Sequence, residues 1–594
     1  MKRAAETGWA AAMRAFSFPL NVYAHLLQQL EGQADYLHFA VFEPGQNDVR
    51  RAQERASELL WQALPPPCRL LEVGIGLGTT LARLRAAGYD AHGITPEPAQ
   101  IDAAHARHGT ALPLTCSRLE DYADHAGQWH ALLFQESAQY IAPLALFEAA
   151  ERLLAAGPAT LVVMDEFALK RDEPGHTGLH HLAHFQALAA GFGWQLEQHI
   201  DLSQAVQPTL DYLLRTTRSE RDALMRELGL GAAALDGLDA ALLRSQALYR
   251  QGVYGYALLR YTRPGPAAAR PVALDAARAD AMRELFARVF GHAMFADEWR
   301  WKYGDGRGHA VGLQRDGELV AHFGGMTRRV HAAGQDLLAC QVCDVMVAPK
   351  ARASLNGSGP LLAITATFLE QQIGWGAPHA VGFGFPTTRA FRVAEKLGLY
   401  REVDQMVRLE STLCGTPEAH RTAAARVDDW GSEGALDPGQ RAIVDELWSA
   451  MRVSAGARVL GVRDAAWIEH RYRHHPSRRY RLLLLRSRWW RRPVGLAVLR
   501  THDDGLWRVV DLVAPVPRLN EMLGRAAAWA GTQGASRVEC WVTRSQLPLL
   551  EGALPGAASV HSLEISVPES AWTEGLRITA DRPWLLMAGD ADFT

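Results

Sequence analysis

The stretch LLEVGIGLGTT (residues 70–80) decides the fold of the first part of this chain. Apolar residues lead into Gly74, Gly76 and Gly78, and a helix-like segment, LARLRAAGY (81–89), follows. A strand, a glycine turn and a helix N-terminus in this order can hold a nucleotide, because glycines let the backbone approach the ligand and free amides point at it. The spacing differs from the GxGxxG of dinucleotide-binding turns, which disfavours NAD.

Residues 68–263 alternate predicted strands and helices around this loop, and residues 1–60 are predicted to be helical. Such alternation predicts an α/β fold, a parallel sheet covered by helices on both faces and closed by a last, antiparallel strand. The predicted strands lie at 69–75, 90–95, 112–116, 130–136, 159–166 and 252–261.

Length and composition bound the remaining possibilities. A chain of 594 residues is too long for one hydrophobic core, and its net charge of −3 gives no reason to expect nucleic acid as a partner. The basic segment RSRWWRRP (486–493) is interpreted as a solvated hairpin. Because no apolar run is long enough for a signal peptide or a membrane span and the six cysteines are scattered, we expect a cytoplasmic protein. The oligomeric state stays open.

The acidic residue two positions before the first glycine makes the loop more specific. The run Glu72-x-Gly74-x-Gly76-x-Gly78 resembles motif I of class I methyltransferases that use S-adenosylmethionine (SAM). The resemblance implies a Rossmann-like fold with SAM as cofactor. In it, the glycines pass close to the ligand and Glu72 orients the loop or the methionyl ammonium group.

A second segment identifies a subgroup. HGITPEPAQIDAAHAR (92–107) resembles the second SAM-contact segment of the cyclopropane-fatty-acid-synthase-like methyltransferases, G-(I/V/L)-T-x-S-x-x-Q. Thr95 and Gln100 match this pattern, and Glu97 replaces the serine. Because Thr95 is neutral where most methyltransferases carry an acid for the ribose hydroxyls, Gln100 or Glu97 is expected to serve there. The resemblance covers about residues 15–263.

Further SAM contacts follow from the same resemblance. CSRLEDY (116–122) is similar to the turn that contacts adenine, which implies that Leu119 packs on the ring and that Glu120 accepts a hydrogen bond from the exocyclic amine. FQESAQYI (134–141) lies at the end of the fourth predicted strand, where Gln135 is expected to contact the cofactor.

The catalytic candidates of this half are Glu136, Tyr140 and Tyr36. In the lipid-cyclopropanating enzymes a Glu-His pair after this strand helps to hold a bicarbonate base, and the best register places Gln139 and Tyr140 there. A bicarbonate mechanism on a lipid alkene is therefore disfavoured. Glu136 is predicted to be a base or a substrate anchor, with Tyr140 and Tyr36 lining the pocket. A structural carboxylate bonded to backbone amides is the alternative for Glu136.

No metal site is expected. His180 and His184 lie four residues apart in HTGLHHLAHF (176–185), on a predicted helix, yet no acidic ligand lies at a recognised spacing. A lid helix that presents polar groups to the substrate, or an exposed helix, explains this cluster better. Cys340 and Cys343 form a CxxC, but no second pair at zinc-ribbon spacing accompanies it.

The C-terminal half contains a weak internal repeat. After a proline-containing linker at 262–271, WRWKYGDG (299–306) recurs as WIEHRYRHHP (467–476), and DVMVAP (344–349) recurs as DLVAP (511–515). Order and offsets are kept. We therefore predict two copies of one α+β domain, the second degenerate, and a low-complexity joint at 414–440. The predicted domains are residues 1–263, 272–412 and 440–594.

The first copy resembles the GNAT superfamily of N-acyltransferases over about residues 272–412. The order strand, glycine loop and helix, with Gly357-Ser358-Gly359 in the loop, is similar to the pyrophosphate-binding motif of that superfamily. The resemblance implies acetyl-CoA or another acyl-CoA as cofactor, held by loop amides and a helix N-terminus. Backbone amides near Met346 and Val347 are expected to face the thioester carbonyl.

This copy also departs from the superfamily. Ser354 occupies the loop position where a basic or amide residue is expected, and Arg352 lies two places before it. Ala394 stands where many members carry a tyrosine that acts as the acid toward the leaving thiolate. Asp344 and Tyr303 are the candidate replacements for base and acid.

Three hypotheses remain. The leading one is a bifunctional biosynthetic enzyme that joins SAM-dependent methyl transfer to N-acyl transfer on a small-molecule or sugar-like substrate. The second keeps the methyltransferase and makes the C-terminal half a binding or assembly module. The third, an NAD-dependent oxidoreductase, is disfavoured by the glycine spacing.

Overall fold

The computed structural model describes most of the chain and divides it into two compact units. One unit comprises residues 1–273, 313–317 and 358–367, and the other comprises 274–312, 318–357 and 368–594. Among the described helices, none combines the length and the apolar character that a membrane crossing requires. The described residues are 13–170, 179–354, 360–373, 377–396, 398–413, 426–487, 490–555, 558–570, 579 and 581–593.

The first unit is built on a seven-stranded sheet in the order β3-β2-β1-β4-β5-β7-β6. The pairs from β3 to β5 are parallel, and β7 runs antiparallel to both of its neighbours. The parallel α/β sheet with an antiparallel strand predicted from the sequence is confirmed. Its strands are β1 (Arg69–Val73), β2 (Asp90–Thr95), β3 (Leu114–Cys116), β4 (Ala131–Gln135), β5 (Ala159–Ala168), β6 (Gln195–Asp201) and β7 (Tyr254–Arg263).

Helices supply the apolar faces that cover this sheet. Its central strands are almost wholly buried, as expected for parallel strands with helices on both sides. The helices are α1 (Leu20–Leu30), α2 (Val49–Ala63), α3 (Thr79–Ala86), α4 (Pro98–His108), α5 (Pro143–Leu153), α6 (Leu182–Gly191), α7 (Ser203–Ser219), α8 (Arg221–Leu228) and α9 (Ala232–Arg250).

One strand of the first sheet had no clear signal in the sequence. Strand β6 reads QLEQHID and exposes most of its side chains at the edge of the sheet. Hydrophobic periodicity cannot detect such a strand, because its hydrogen bonds to β7 rather than apolar burial hold it in place.

The second unit carries the other sheet. Its strands follow the order β14-β16-β17-β18-β19-β13-β20-β12-β11-β10-β15-β21. The remaining strands of the chain are β8 (Ala269–Leu274), β9 (Gly308–Arg315), β10 (Glu318–Ala332), β11 (Gln335–Val347), β12 (Val381–Gly384), β13 (Tyr400–Thr412), β14 (Val427–Asp429), β15 (Val459–Gly461), β16 (Arg481–Arg486), β17 (Pro493–Thr501), β18 (Leu506–Val513), β19 (Arg537–Thr543), β20 (Ser559–Ser570) and β21 (Trp584–Leu585). The remaining helices are α10 (Ala279–Phe290), α11 (Ala296–Tyr303), α12 (Pro360–Gln372), α13 (Thr388–Lys396), α14 (Pro438–Val453), α15 (Ala465–Ile468) and α16 (Leu519–Thr532).

The strand order of the second sheet has the symmetry of a repeat. Reading outward from the β13–β20 pair, the strands β19, β18 and β17 on one side correspond to β12, β11 and β10 on the other. In each copy an antiparallel hairpin is followed by a parallel pair, β18–β19 and β11–β12. Strands β13 and β20 lie next to each other, and each is paired on both sides with strands of the other copy. The predicted pair of GNAT-like α+β domains is confirmed at the level of the fold.

The segments predicted as linkers are only partly irregular. Strand β8 begins at Ala269, within the predicted 262–271 linker. In the predicted 414–440 joint, residues 427–429 form the edge strand β14 and pair with β16, whereas residues 414–425 lie outside the described residues. The predicted Asp316-Gly317 turn does join β9 to β10, with both residues at positive φ (51° and 84°).

Candidate functional site

The glycine loop leaves β1 in a conformation that favours glycine. Gly74, Gly76 and Gly78 all have positive φ (82°, 51° and 73°). A Cβ at Gly74 would lie 2.5 Å from the Cβ of Ser137, and one at Gly78 would lie 2.7 Å from that of Ala104. A Cβ at Gly76 would meet no described atom within 4 Å. Two of the glycines therefore permit close packing, and Gly76 leaves open space above the loop.

That open space belongs to a cavity of about 340 Å³ at the ends of strands β1, β2 and β4. It brings together almost every residue that the sequence predicted for this half, although Gly78 packs against α4 and does not line it. The predicted residues that line the cavity are Tyr36, Glu72, Gly74, Gly76, Thr95, Gln100, Leu119, Glu120, Gln135, Glu136 and Tyr140.

Glu72 is the most unusual group of this cavity. Its side chain is only 2% exposed, and Oε2 has no hydrogen-bond partner among the described residues. Burial raises the pKa of Glu72 to about 8. A buried carboxylate without a partner is costly to the fold. Its place beside the glycine loop suits a cationic group of a ligand.

The polar groups after β2 and β4 are arranged more loosely. Thr95 Oγ1 donates to Gln100 Oε1 at 2.8 Å, so that Gln100 is held over the end of β2. Gln135 Nε2 has no partner among the described residues, and Glu120 accepts a hydrogen bond from Arg118 at 2.9 Å. Donors and acceptors for a polar ligand thus lie around the predicted SAM contacts.

Glu136 lies at the inner end of the same cavity and has a positive φ of 52°. Its Oε1 accepts hydrogen bonds from the Phe39 amide (2.5 Å) and from the Tyr256 hydroxyl (2.6 Å). Burial raises the pKa of Glu136 to about 8, although both hydrogen bonds act in the opposite direction. The hydrogen bond from the Phe39 amide agrees with the alternative that Glu136 is a structural carboxylate. The hydrogen bond from Tyr256 was not predicted.

Two further buried carboxyl groups, which the sequence analysis missed, accompany Glu136. Burial raises the pKa of both Asp165 and Glu166 to about 7. Asp165 accepts hydrogen bonds from backbone amides, and Glu166 accepts one from Tyr249 at 2.8 Å. A signal was present, since MDEF (164–167) places adjacent acids within a buried strand pattern.

The two predicted tyrosines differ in their surroundings. Tyr36 is 4% exposed and donates a hydrogen bond to Glu54 at 3.2 Å. Tyr140 is 80% exposed, at the mouth of the cavity. Tyr36 is therefore a fixed wall residue, and Tyr140 is open to an incoming molecule.

The histidine cluster does not form the predicted helical pair. His180 precedes α6, which begins at Leu182, so that it does not share a helix with His184. The His180 Nε2 lies 2.8 Å from the carbonyl oxygen of Ile141 and holds this segment against the chain after β4. His176 lies outside the described residues.

In the second unit, the candidate acid and base, Tyr303 and Asp344, lie next to each other. The Tyr303 hydroxyl donates to Asp344 Oδ2 at 2.7 Å, and Lys302 Nζ lies 2.9 Å from Asp344 Oδ1 and 3.0 Å from Asp592 Oδ2. Burial alone would raise the pKa of Asp344, but Lys302 and Tyr303 lower it below its ordinary value. Lys302 and Asp592, which the sequence analysis missed, thus complete a buried ion-pair cluster.

One atom of this cluster has no partner. His322 is fully buried, and its Nδ1 lies 2.6 Å from the carbonyl oxygen of Asp344, whereas Nε2 has no partner among the described residues. Burial lowers the pKa of His322, which keeps the ring neutral at pH 7. Cys343, Asp344 and Asp592 are close enough together to bind a cation, but the ammonium of Lys302 already lies between the two carboxylates.

The other predicted acyl-CoA contacts are only partly described. Met346 and Val347 pair with His322 and Ala321 of β10 at the end of β11. The glycine loop, Gly357, Ser358 and Gly359, lies outside the described residues, as does the side chain of Arg352.

The second copy repeats the tyrosine–aspartate pair. The Tyr472 hydroxyl donates to Asp511 Oδ2 at 2.7 Å, the same distance as in the first copy. Here Arg463 Nε binds Asp511 at 2.7 Å, and its Nη2 binds Asp590 at 2.5 Å. The pKa of Asp511 is raised above its ordinary value by burial, although Arg463 acts in the opposite direction.

Comparison with known proteins gives one family match and several similar solved structures. Residues 271–398 match the acetyltransferase (GNAT) domain family, and a search of curated proteins gives no significant match. Similar solved structures include a geranyl diphosphate C-methyltransferase from Streptomyces coelicolor A3(2) (18% identity, 44% of this chain and 98% of that chain, TM-score 0.32) and mycolic acid cyclopropane synthase CmaA1 (16%, 43% and 98%, 0.36). Another is a protein from Enterococcus faecalis V583 described as a probable N-acyltransferase (14%, 51% and 71%, 0.36). The family match thus covers most of the first GNAT-like copy, residues 271–398.

Proposed function

We propose that the first unit is a SAM-dependent methyltransferase acting on a small-molecule or sugar-like acceptor. We also propose that the GNAT-like region transfers an acyl group from acetyl-CoA or another acyl-CoA to an amine. The domain boundaries 1–263, 272–412 and 440–594 belong to this proposal.

The observation that carries the first part is the partnerless carboxylate of Glu72 beside the open Gly76. A methionyl ammonium group supplies the cation that this carboxylate lacks, and amides of the glycine loop contact the rest of the ligand. Thr95 and Gln100 are assigned to the ribose, and Leu119, Glu120 and Gln135 to the remaining cofactor contacts. SAM supplies an electrophilic methyl group on a sulfonium.

The residues of the first unit position the acceptor and accept its proton. Transfer to a sulfonium methyl needs a nucleophile aligned with the reacting bond and little covalent help. Glu136 takes the proton from the nucleophile of the acceptor, because burial raises its pKa to about 8 and makes its ionised form a stronger base than an ordinary carboxylate, a form that becomes the major one only above pH 8. Tyr36 and Tyr140 bound the acceptor on the inner and outer sides.

The test is calorimetry with SAM on the full chain. Gly76→Val places a β-branched side chain at positive φ and into the cavity, and we expect SAM binding to be lost. Gly88→Val is the matched control, because Gly88 also has a positive φ (92°), does not line the cavity and meets no described atom within 4 Å. Unchanged SAM binding by the Gly76 variant, or no binding by the wild type, would contradict the proposal.

For acyl transfer we assign Tyr303 as proton donor and Asp344 as the residue that orients its hydroxyl. The lowered pKa of Asp344 makes it a weak base, so that positioning is the better role for it than the predicted general base. Backbone amides near Met346 and Val347, with Arg352 and the Gly357–Gly359 loop, are assigned to the acyl-CoA.

A specific observation supports the alternative of a non-catalytic C-terminal module. The second copy keeps the same buried tyrosine–aspartate pair although its sequence after DLVAP has no glycine loop, which suits a structural role for the pair. Calorimetry of the full chain with acetyl-CoA and longer acyl-CoAs discriminates the two. Binding supports acyl transfer, and no binding up to about 1 mM supports the module.

A further inference from the structure

The second unit contains a cavity of about 280 Å³ that none of the roles above uses. It lies between the end of α11, the hairpin β10–β11 and the segment 462–470. Aromatic and aliphatic residues, among them Trp301, Met326 and Trp467, line it together with four cations, the carboxylate of Asp464 and the neutral polar side chains of Thr327 and Gln341.

Flat groups form much of this wall. The rings of Trp301 and His470 are stacked with centroids 5.1 Å apart and an angle of 12°, and Trp301 Nε1 donates to the His470 carbonyl at 2.9 Å. The guanidinium of Arg328 lies 3.4 Å from the ring centroid of Trp467. Because these rings and the guanidinium are held by stacking and by hydrogen bonds, the cavity is preformed for a planar apolar group such as an aromatic ring.

Four cations line the cavity, and three of them already have carboxylate partners of low or moderate exposure. Lys302 is paired with Asp344 and Asp592, Arg328 with Asp590, and Arg329 with Asp336 and Asp464. Asp590 also binds Arg463, which in turn binds Asp511. Arg328 and Arg463 together therefore have two carboxylate partners, Asp590 and Asp511. None of these three cations needs a further anion.

Arg307 is the exception. Its Nε and Nη2 donate to the carbonyl oxygens of Trp301 and Arg300, which fix the guanidinium in place. Its recorded carboxylate partner is Asp305, whose side chain is 81% exposed. An ion pair with a solvated carboxylate contributes little, and an anion inside the cavity would bind Arg307 in a less polar environment.

The field at the cavity is positive by another measure as well. Burial, together with the nearby cations Arg307 and Arg471, lowers the pKa of His470 to about 4. The ring is therefore neutral at pH 7 and adds no charge of its own to this wall.

We propose that this cavity binds a small molecule with a flat aromatic body and a single carboxylate, with the carboxylate on Arg307 and the ring against Trp301 and Trp467. The guanidinium of Arg307, whose carboxylate partner Asp305 is solvated, balances one negative charge in the cavity, which favours a carboxylate over a phosphate dianion, and its planar fork matches carboxylate geometry. The inference concerns binding alone and does not depend on acyl transfer.

The experiment is calorimetry of the full chain with indole-3-acetate, and with its neutral isostere indole-3-acetamide as the matched probe. We expect indole-3-acetate to bind at least tenfold more tightly than the amide, because a charge-assisted hydrogen bond is lost in the amide. Arg307→Gln should reduce the affinity for indole-3-acetate at least tenfold. Arg300→Gln, at a residue of α11 that does not line the cavity, should not change it.

A cavity-filling variant, Met326→Trp, tests the location and should abolish binding of both probes. Thermal unfolding of each variant shows whether it folds, and the comparison of the two probes on the wild type needs no variant at all. No binding of indole-3-acetate up to about 10 mM, equal binding of acid and amide, or full affinity in a folded Arg307→Gln variant would overturn the proposal.

Discussion

Two buried carboxylates near strand ends, Glu72 of the first unit and Asp344 of the second, have opposite surroundings. Glu72 has an oxygen without a partner, and burial raises its pKa to about 8. Asp344 is bound by Lys302 and Tyr303, which lower its pKa despite the same burial. A carboxylate left without a cation costs the fold stability and is available to a ligand, whereas one that the fold has already paired serves positioning or stability.

The second GNAT-like copy extends this comparison. Asp511 has the partners of a paired carboxylate, Tyr472 and Arg463, in a fully buried setting. The bond from tyrosine to aspartate is therefore common to both copies, and what distinguishes the first copy is Lys302 with Asp592, and the partnerless Nε2 of His322. If the first copy is catalytic, these differences must carry the activity.

The largest expected effect is a loss of stability at the buried ion-pair cluster of Asp344. Lys302→Met leaves Asp344 and Asp592 buried without their cation, and we expect the free energy of unfolding to fall by about 3–5 kcal/mol. Urea unfolding followed by tryptophan fluorescence measures this change. Lys350→Met, at an exposed lysine, is the control. Equal stability of the two variants would show that the buried cluster is not a paired unit.

The unpaired site should respond differently. Glu72→Gln removes the partner of the SAM ammonium, so that affinity for SAM should fall about 10- to 100-fold in calorimetry. The unliganded protein should lose no stability at pH 8, because no ion pair is broken. Glu58→Gln, at an exposed position of α2, should change neither quantity. A marked loss of stability in the Glu72 variant would place Glu72 among the structural carboxylates.

Proton uptake distinguishes the two sites more finely. Because the pKa of Glu72 is raised to about 8, the free protein holds a proton there at pH 6, and a bound ammonium favours its release. We expect SAM affinity to rise by up to about tenfold per pH unit between pH 6 and pH 8 and then to level off. The stability that this proton lends the unliganded fold is complete below the ordinary carboxyl pKa and is lost as the pH rises through 8. In Glu72→Gln the rise in affinity should be absent, and a slope equal to that of the wild type would exclude Glu72 as its source.

The smallest expected effect compares the two copies. Tyr303→Phe and Tyr472→Phe each remove one hydrogen bond to a buried aspartate and should each cost about 1 kcal/mol of unfolding free energy. Acyl transfer should fall only in Tyr303→Phe if Tyr303 is the proton donor. Loss of activity in both variants to the same degree would assign the pair a purely structural role.

Much of the first site was predictable because its signals are local. The acid-glycine run, Thr95 with Gln100, and the turn at Leu119 lie on short segments whose order along the chain fixes their place at one edge of a parallel sheet. Tyr256 and Phe39, which bind Glu136, were not predictable, since they come from β7 and from the chain before α2, far from Glu136 in sequence.

The second unit was predictable as a repeat but not in its charges. Tyr303 and Asp344 were named as candidates within two motifs that recur in the second copy, but the hydrogen bond between them was not predicted. Asp592, near the end of the chain, reaches Lys302 across 290 positions, and no local pattern records such a contact. The cavity beside Arg307 likewise combines residues from both copies.

The sequence by itself determined most strands and helices of the first unit, the glycine turn after β1 and the duplication in the C-terminal half, because each depends on neighbours within a few residues. Only the tertiary structure decided which buried charges have partners. Lys302 meets its two carboxylates, whereas Glu72 Oε2 has no hydrogen-bond partner in the part of the chain that the structure describes. The reason is physical, since the free energy of a buried charge depends on groups within a few ångströms in space, wherever they lie along the chain.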